Sequence, residues 1–122
     1  MQGKPVEWRF APKGVFVCPS RTMDIGLKPD PERDTLFGVE VAEAISLAGA
    51  ERIAAALNAI LDGKTACISP DEAFVCLARF RVWGWYWVAA TNERAQSTII
   101  TNRGFVSDAM ELANRLNAAL EG

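Results

Sequence analysis

Residues 80–101 read FRVWGWYWVAATNERAQSTIIT, and this stretch decides the fold class. Residues 80–90 are rich in aromatic and β-branched side chains, and residues 97–101 form a short β-branched run, so both are predicted to be strands. The polar residues 91–94 between them predict a turn. We therefore expect an antiparallel hairpin in the second half of the chain.

Two segments with apolar residues at helical spacing follow the strand-rich regions. The first extends from Leu47 to Gly63, which suits a C-terminal cap, and the second extends from Ser107, a good N-cap, to Glu121. In each segment the apolar residues recur at i, i+3 and i+4 and form one stripe. The stripes consist of Ala50, Ile53, Ala54, Leu57, Ile60 and Leu61, and of Ala109, Leu112, Ala113, Leu116, Ala119 and Leu120.

The N-terminal half also predicts a hairpin. Residues 6–10 alternate apolar and charged side chains, residues 12–14 favour a turn, and residues 15–18 are a short apolar run that returns. The elements that remain are weaker: a strand at 23–27, an exposed loop at 28–34, a strand or helix start at 36–45, a short strand at 64–68, and a short helix from Ser69 to Ala78 that competes with a strand at 73–78.

These elements predict an α+β fold, with an antiparallel sheet and two main helices packed on one of its faces. The chain has 122 residues and suits a single domain, 1–122. Half of its residues are hydrophobic and 23% are charged, which is the balance of a globular protein.

A weak internal repeat links the two helices. Residues 50–63 and 109–122 align without gaps, with seven identities in fourteen positions, and Asn58 and Asn117 match although they lie off the apolar stripes. Residues 16–18 and 74–76 both read Phe-Val-Cys. One explanation is duplication of a strand-strand-helix unit, with halves 1–63 and 64–122, which would give a pseudo-twofold fold. The other is coincidence between two helices rich in Ala and Leu.

Composition limits the partners and cofactors. The net charge is −2 and the nine Arg and four Lys are scattered, which disfavours binding to nucleic acid. No apolar run approaches the roughly 20 residues of a membrane span, and the N-terminus lacks a signal-peptide pattern. Three Cys without paired spacing favour a reducing compartment, so we expect a cytoplasmic protein that does not bind membranes.

The chemistry available to this chain is restricted because it contains no His. Ser-His-Asp and Cys-His catalytic arrangements and His-ligated zinc are therefore excluded. The glycines form neither a dinucleotide-binding nor a P-loop pattern. Cys18, Cys67 and Cys76 lie in apolar runs and are expected to be small hydrophobic side chains, with Cys76 a buried thiol. We expect no catalytic residue, no metal and no cofactor.

The candidate binding residues lie on the aromatic strand. In one regular strand over residues 79–88, Arg79, Arg81, Trp83, Trp85 and Trp87 share one face, while Phe80, Val82, Tyr86 and Val88 share the other. The Phe/Val/Tyr face suits the core. Trp and Arg are enriched at binding hot spots, and soluble monomers rarely expose a stripe of Trp without a use.

This Trp/Arg face predicts a small non-enzymatic interaction protein that binds a second copy of itself or another protein. Two alternatives use the same observations: a site for a small aromatic or cationic ligand, and an enzyme that uses carboxylates or Cys without His. A third interpretation of the Trp residues is burial within the protein itself, and Gly84 could mark a bulge that changes which Trp faces where.

Overall fold

The computed structural model describes residues 8–20, 38–69, 73–84 and 86–121 of the chain. In these ranges it contains two helices and two antiparallel sheets, one with four strands and one with three. The predicted α+β class is confirmed, with the strands divided between two sheets. The predicted strand at 23–27 and loop at 28–34 lie outside the described residues.

The first sheet contains β1 (Arg9–Lys13), β2 (Phe16–Ser20), β3 (Ala42–Ala44) and β4 (Phe74–Cys76), in that order across the sheet. The predicted N-terminal hairpin is confirmed, since β1 pairs with β2 from Arg9 opposite Ser20 to Lys13 opposite Phe16. The helix α1 (Leu47–Leu61) follows β3, and the Ser46 hydroxyl caps it by accepting from the Gly49 N–H.

The second sheet contains β5 (Ala78–Trp83), β6 (Trp87–Asn92) and β7 (Ser97–Asn102), with β6 in the centre. The hairpin that brings β7 back against β6 is the one predicted from residues 80–101. The helix α2 (Val106–Glu121) follows β7 and packs against β5 and β6, while α1 packs against the first three strands.

The region between α1 and β5 differs from the prediction. The expected helix from Ser69 to Ala78 is wrong, because residues 74–76 form β4 and pair with β3 across Phe74 opposite Ala44 and Cys76 opposite Ala42. Residues 64–68 form no strand. A Ser-Pro pair and a later Glu favour a helix start locally. The pairing available along β3 outweighs that preference and selects the extended conformation.

Two backbone hydrogen bonds join the first sheet to the second. Between β4 and β5, the Leu77 N–H donates to the Val41 carbonyl at 2.9 Å. Just before β1, the Trp8 N–H donates to the Ile100 carbonyl of β7 at 2.7 Å. Val41 and Ile100 are 59 residues apart, the same separation as Asn58 and Asn117. The residue before β5 therefore contacts the start of β3, which leads into α1. The residue before β1 contacts β7, which leads into α2.

One hydrophobic core lies between the sheets and the helices. Every residue of the two predicted helix stripes is buried in it. Phe10 of β1 and Phe80 of β5 meet edge to face there, with ring centroids 5.8 Å apart. No helix among the described residues is long and apolar enough to cross a bilayer.

Two asparagine side chains attach the helices to the edges of the sheets. Asn58 of α1 accepts from the Phe10 N–H at 2.7 Å and donates to the Phe10 carbonyl at 2.9 Å. Asn117 of α2 makes the same pair of bonds to Phe80, at 2.8 and 2.9 Å. A carboxamide has one donor and one acceptor side, so it can replace the neighbouring strand that an edge residue lacks.

Candidate functional site

The aromatic segment is a hairpin, not one strand. The prediction of a continuous strand over residues 80–90 is wrong, since β5 ends at Trp83 and β6 begins at Trp87. Gly84 has a φ of +67°, a left-handed conformation that side-chain-bearing residues rarely adopt. Gly14 has a φ of +60° at the turn between β1 and β2. The sequence reads Arg-Phe followed by a glycine five residues after the arginine at both turns.

The hairpin still places four of the five predicted binding residues on one face. Trp83 and Trp87 are directly opposite each other, and Arg81 is opposite Ala89, so these side chains share a face together with Arg79. Trp83 is 58% exposed, Arg79 and Arg81 are exposed, and Trp87 is half-buried. The fifth predicted residue, Trp85, lies outside the described part of the chain.

The opposite face of the hairpin is mostly core. Phe80 and Val88 are buried and Val82 is half-buried, as expected for the Phe/Val side. Tyr86, which was expected on that side, lies in the turn instead and is 39% exposed. Its ring stands 5.8 Å from that of Trp87, tilted by 33°. Turning the chain at Gly84 moves Tyr86 off the strand and therefore off the core face.

The two arginines of this face differ in their surroundings. Arg79 pairs with Glu121 at the end of α2, with a nitrogen-oxygen distance of 2.6 Å. In the described residues Arg81 makes no hydrogen bond or ion pair. Trp83 follows two residues later on the same face, so an unpaired guanidinium and an exposed indole lie side by side at the tip of β5. This combination can bind a carboxylate, an aromatic ring, or both.

The outer edge of β5 is covered at one residue and open at another. Asn117 occupies the N–H and C=O of Phe80. Val82 lies two residues further along a strand with regular register, so its N–H and C=O point to the same side. The described residues offer these two groups no hydrogen-bond partner. The edge therefore presents one donor and one acceptor of a strand at Val82.

A groove of about 330 Å³ borders this open edge, and we call it the β5–α2 groove. Val106 and Met110, on successive turns of α2, are 48% and 53% exposed and form one of its walls. The full set of lining residues is Phe80, Arg81, Val82, Val106, Met110, Ala113 and Asn114. The groove thus combines an apolar wall, a free strand edge and a positive charge.

The corresponding edge in the first half of the chain has different residues. Counting from the Arg-Phe pair, the counterpart of Val82 is Pro12, which has no N–H to offer. Counting from the helix asparagines, the counterpart of Met110 is Glu51, an exposed charged residue. Proline and charge on an edge strand are common protections against pairing with another chain. β5 therefore lacks the proline of β1, and the helix beside it has an apolar residue where α1 has a charged one, although β5 itself carries Arg79 and Arg81.

A larger cavity of about 560 Å³ lies elsewhere, between β4 and the turn that joins β6 to β7. Its lining includes Glu40, Cys76, Glu93 and Arg94, and it contains none of the residues predicted for the binding face. The expectation that Cys76 is a buried thiol is wrong. Cys76 and Cys67 are exposed, and only Cys18 of the three is buried. Cys76 lies in β4 at the edge of the first sheet, where its side chain does not enter the core.

In the part of the chain that the structure describes, no three His, Cys, Asp or Glu side chains come together as metal ligands. Among the described residues, the tip of β5 combines an exposed indole, a guanidinium without a partner, a free strand edge and a groove. Sequence analysis identified Arg81 and Trp83 there but missed Val82 and the two residues of α2. Comparison of the chain with protein-family models, with curated proteins and with solved structures finds no match.

Proposed function

We propose that this protein acts by binding another polypeptide through the Trp/Arg face of the β5–β6 hairpin. The observation that carries the proposal is the 58% exposure of Trp83 beside Arg81, a cation without a partner among the described residues. Covering an exposed indole removes a large apolar area from water, which favours binding. Trp and Arg are also the residues that most often dominate binding energy.

A polypeptide suits this surface better than a small molecule does. Small ligands are normally held in concave sites that bury most of their surface. Trp83 and Trp87 line neither the 560 Å³ cavity nor the β5–α2 groove, and they stand on an open sheet face. The small aromatic or cationic ligand, and the enzyme that uses carboxylates or Cys, stay predictions from the sequence.

Site-specific photo-crosslinking in the cells that produce the protein tests this proposal. We expect p-benzoylphenylalanine in place of Trp83 to form a covalent adduct with a polypeptide on irradiation, because an aromatic probe remains at the binding face. The matched control carries the same probe in place of Ile45, which is 76% exposed in the first half of the chain. A position-83 probe that gives no adduct, or the same adducts as the position-45 probe, contradicts the proposal.

A charge change separates specific capture from chance contact. Arg81→Glu in the protein that carries the probe at position 83 should reduce the adduct strongly, since it reverses the charge beside the indole. Arg94→Glu, on the exposed turn between β6 and β7, is the control and should leave the adduct unchanged. Equal loss in both variants would show that the adduct depends on net charge and not on this face.

A further inference from the structure

We infer that the polypeptide bound at this surface is a second copy of the same chain, joined by antiparallel pairing of the two β5 edges about Val82. The inference rests on the proposed function and names its partner. The free N–H and C=O of Val82 match the geometry of a hydrogen-bonded pair, in which two opposite residues exchange both of their bonds. A twofold axis at Val82 lets the two copies satisfy each other.

The residues around Val82 are complementary to themselves in this register. When Val82 lies opposite Val82 of the second copy, Arg81 lies opposite Trp83 of that copy, and Trp83 opposite its Arg81. Each unpaired guanidinium then meets an exposed indole, and side chains directly opposite each other are close enough for a cation–π contact. This electrostatic match between positive charge and ring face is the reason for choosing a second copy over an unrelated strand.

The other face of the joined strands brings together apolar surface. Val82 points to the side where Val106 and Met110 form the wall of the β5–α2 groove. Because the twofold axis is perpendicular to the sheet, both copies place α2 on the same side. The exposed parts of Val106 and Met110 would therefore be covered by the same residues of the second copy, as in other isologous interfaces.

The length of the pairing is limited by the structure. Asn117 occupies the edge at Phe80, so an added strand cannot extend past that residue. In the proposed register the residue opposite Phe80 is Gly84 of the second copy, where the chain has already turned and carries no side chain. Pairing is thus confined to Arg81, Val82 and Trp83, and the apolar contact between the two α2 helices must supply much of the affinity.

Sedimentation or light scattering over a dilution series of purified protein measures the pairing. We expect wild type to shift between the 13.3 kDa chain and twice that mass. Val82→Pro removes the N–H that each copy donates, so the pair loses two hydrogen bonds and association should weaken roughly tenfold or more. The strand should accommodate it, because β1 already has Pro12 at the equivalent position.

A matched pair of helix variants tests the groove without touching the strand. Val106 and Leu47 are the first residues of α2 and α1, and they are 48% and 53% exposed. Val106→Glu should weaken association by tenfold or more, because it places a charge in the apolar contact, while Leu47→Glu should leave it unchanged. If Val82→Pro lowers the melting temperature, the comparison of Val106→Glu with Leu47→Glu still tests whether the two copies associate through this surface.

Exchange of the two facing residues tests the register. Trp83→Arg alone sets two guanidinium groups opposite each other and should weaken association. Adding Arg81→Trp to that variant restores a ring opposite each cation and should recover most of the affinity. Recovery in the double variant supports antiparallel pairing about Val82, whereas two additive losses contradict it.

In the dilution series, two outcomes overturn the inference. One is a wild type that stays at 13.3 kDa throughout the series, and the other is a dimer that neither Val82→Pro nor Val106→Glu weakens. The photo-crosslinking result separates this failure from that of the proposed function. Adducts formed only with a different protein would refute the second copy and keep the binding role, while a monomer that gives no adduct would refute both.

Discussion

At the scale of single residues, the two asparagines are the clearest link between sequence and structure. Asn58 and Asn117 lie half-buried beside the apolar stripes of their helices, where a polar side chain needs hydrogen-bond partners. Each side chain finds these partners in the backbone of a phenylalanine at a sheet edge. Buried strand edges are costly when their N–H and C=O lack partners. The amides therefore fix where each helix lies along its strand.

Asn58→Ala and Asn117→Ala should each destabilise the protein by about 1–3 kcal/mol, because each removes two hydrogen bonds and leaves a backbone N–H and C=O unpaired. Asn117→Asp should not rescue the loss, since a carboxylate accepts from the Phe80 N–H but repels its carbonyl. Chemical denaturation measures these changes. Glu111→Ala, on the exposed face of α2, is the control, and equal effects at positions 111 and 117 would contradict this role.

The cysteines differ in reactivity because only one of them is buried. Burial raises the pKa of Cys18 to about 11, the Glu40 carboxylate adds to the rise, and Lys13 partly opposes it. We expect the exposed Cys67 and Cys76 to react with a thiol reagent at neutral pH while Cys18 reacts only after unfolding. Quantitative thiol titration with and without denaturant tests this, and three reactive thiols in the native protein would contradict it.

The raised pKa of Cys18 predicts that stability depends on pH. A thiol with a raised pKa in the folded state stabilises the fold below its unfolded pKa, and this contribution is lost as pH rises towards about 11. Other groups titrate in that range, so the comparison is between wild type and Cys18→Ala. We expect wild type to lose more stability than Cys18→Ala between about pH 9 and 11, on the order of 2 kcal/mol.

At the scale of elements, the helices could be predicted in detail and the aromatic hairpin could not. The stripes from Ala50 to Leu61 and from Ala109 to Leu120 repeat over several turns, so their spacing identifies both the element and its buried face. Residues 80–90 contain one glycine among aromatic and β-branched side chains, and local preference favours strand on either side of it. The turn at Gly84 follows from the pairing of Trp83 with Trp87, which the strand preference of the residues on either side does not indicate.

The candidate site was predictable only in part, for a related reason. Alternation along β5 placed Arg79, Arg81 and Trp83 on one face, because side-chain direction follows from the strand alone. The free edge at Val82 and the wall formed by Val106 and Met110 depend on which strand is outermost and where α2 lies. The spacing from Arg-Phe to glycine, at Arg9 to Gly14 and Arg79 to Gly84, was the available signal for both turns.

The buried stripes of the helices make a direct prediction. Leu57 and Leu116 are both fully buried at equivalent positions of α1 and α2. Leu57→Asp and Leu116→Asp should each cost more than about 4 kcal/mol, because a carboxylate without a partner would enter the core. Thermal melting followed by circular dichroism measures this, with Glu51→Asp and Glu111→Asp on the exposed helix faces as controls. A melting temperature within a degree or two of wild type would contradict the packing of that helix.

At the scale of the whole molecule, the two halves repeat one arrangement. Each half has an Arg-Phe pair on an outer strand, a glycine turn, and a helix asparagine on the phenylalanine backbone. Arg9 pairs with Asp62 at 2.7 Å and Arg79 with Glu121 at 2.6 Å, and both acids lie 59 residues apart. The internal duplication itself stays a prediction. The Phe-Val-Cys match is not part of the shared arrangement, since β2 is an inner strand and β4 an edge strand.

The repeated halves are packed into each other and not merely joined, which predicts how the protein unfolds. Phe10 contacts Phe80, Val39 donates its N–H to the Thr98 hydroxyl, and one core contains residues of both helices and both sheets. Neither half can therefore open without exposing apolar surface of the other.

We expect one cooperative transition in denaturant, as is usual for a single domain of this size. Trp83 and Trp87 lie in the second half and Trp8 in the first, so the fluorescence of a Trp8→Phe variant reports the second half, while circular dichroism reports both helices. The two signals should give the same midpoint, and Asn58→Ala in the first half should shift both equally. Separate midpoints, or a shift of only one signal, would show that the halves are independent domains.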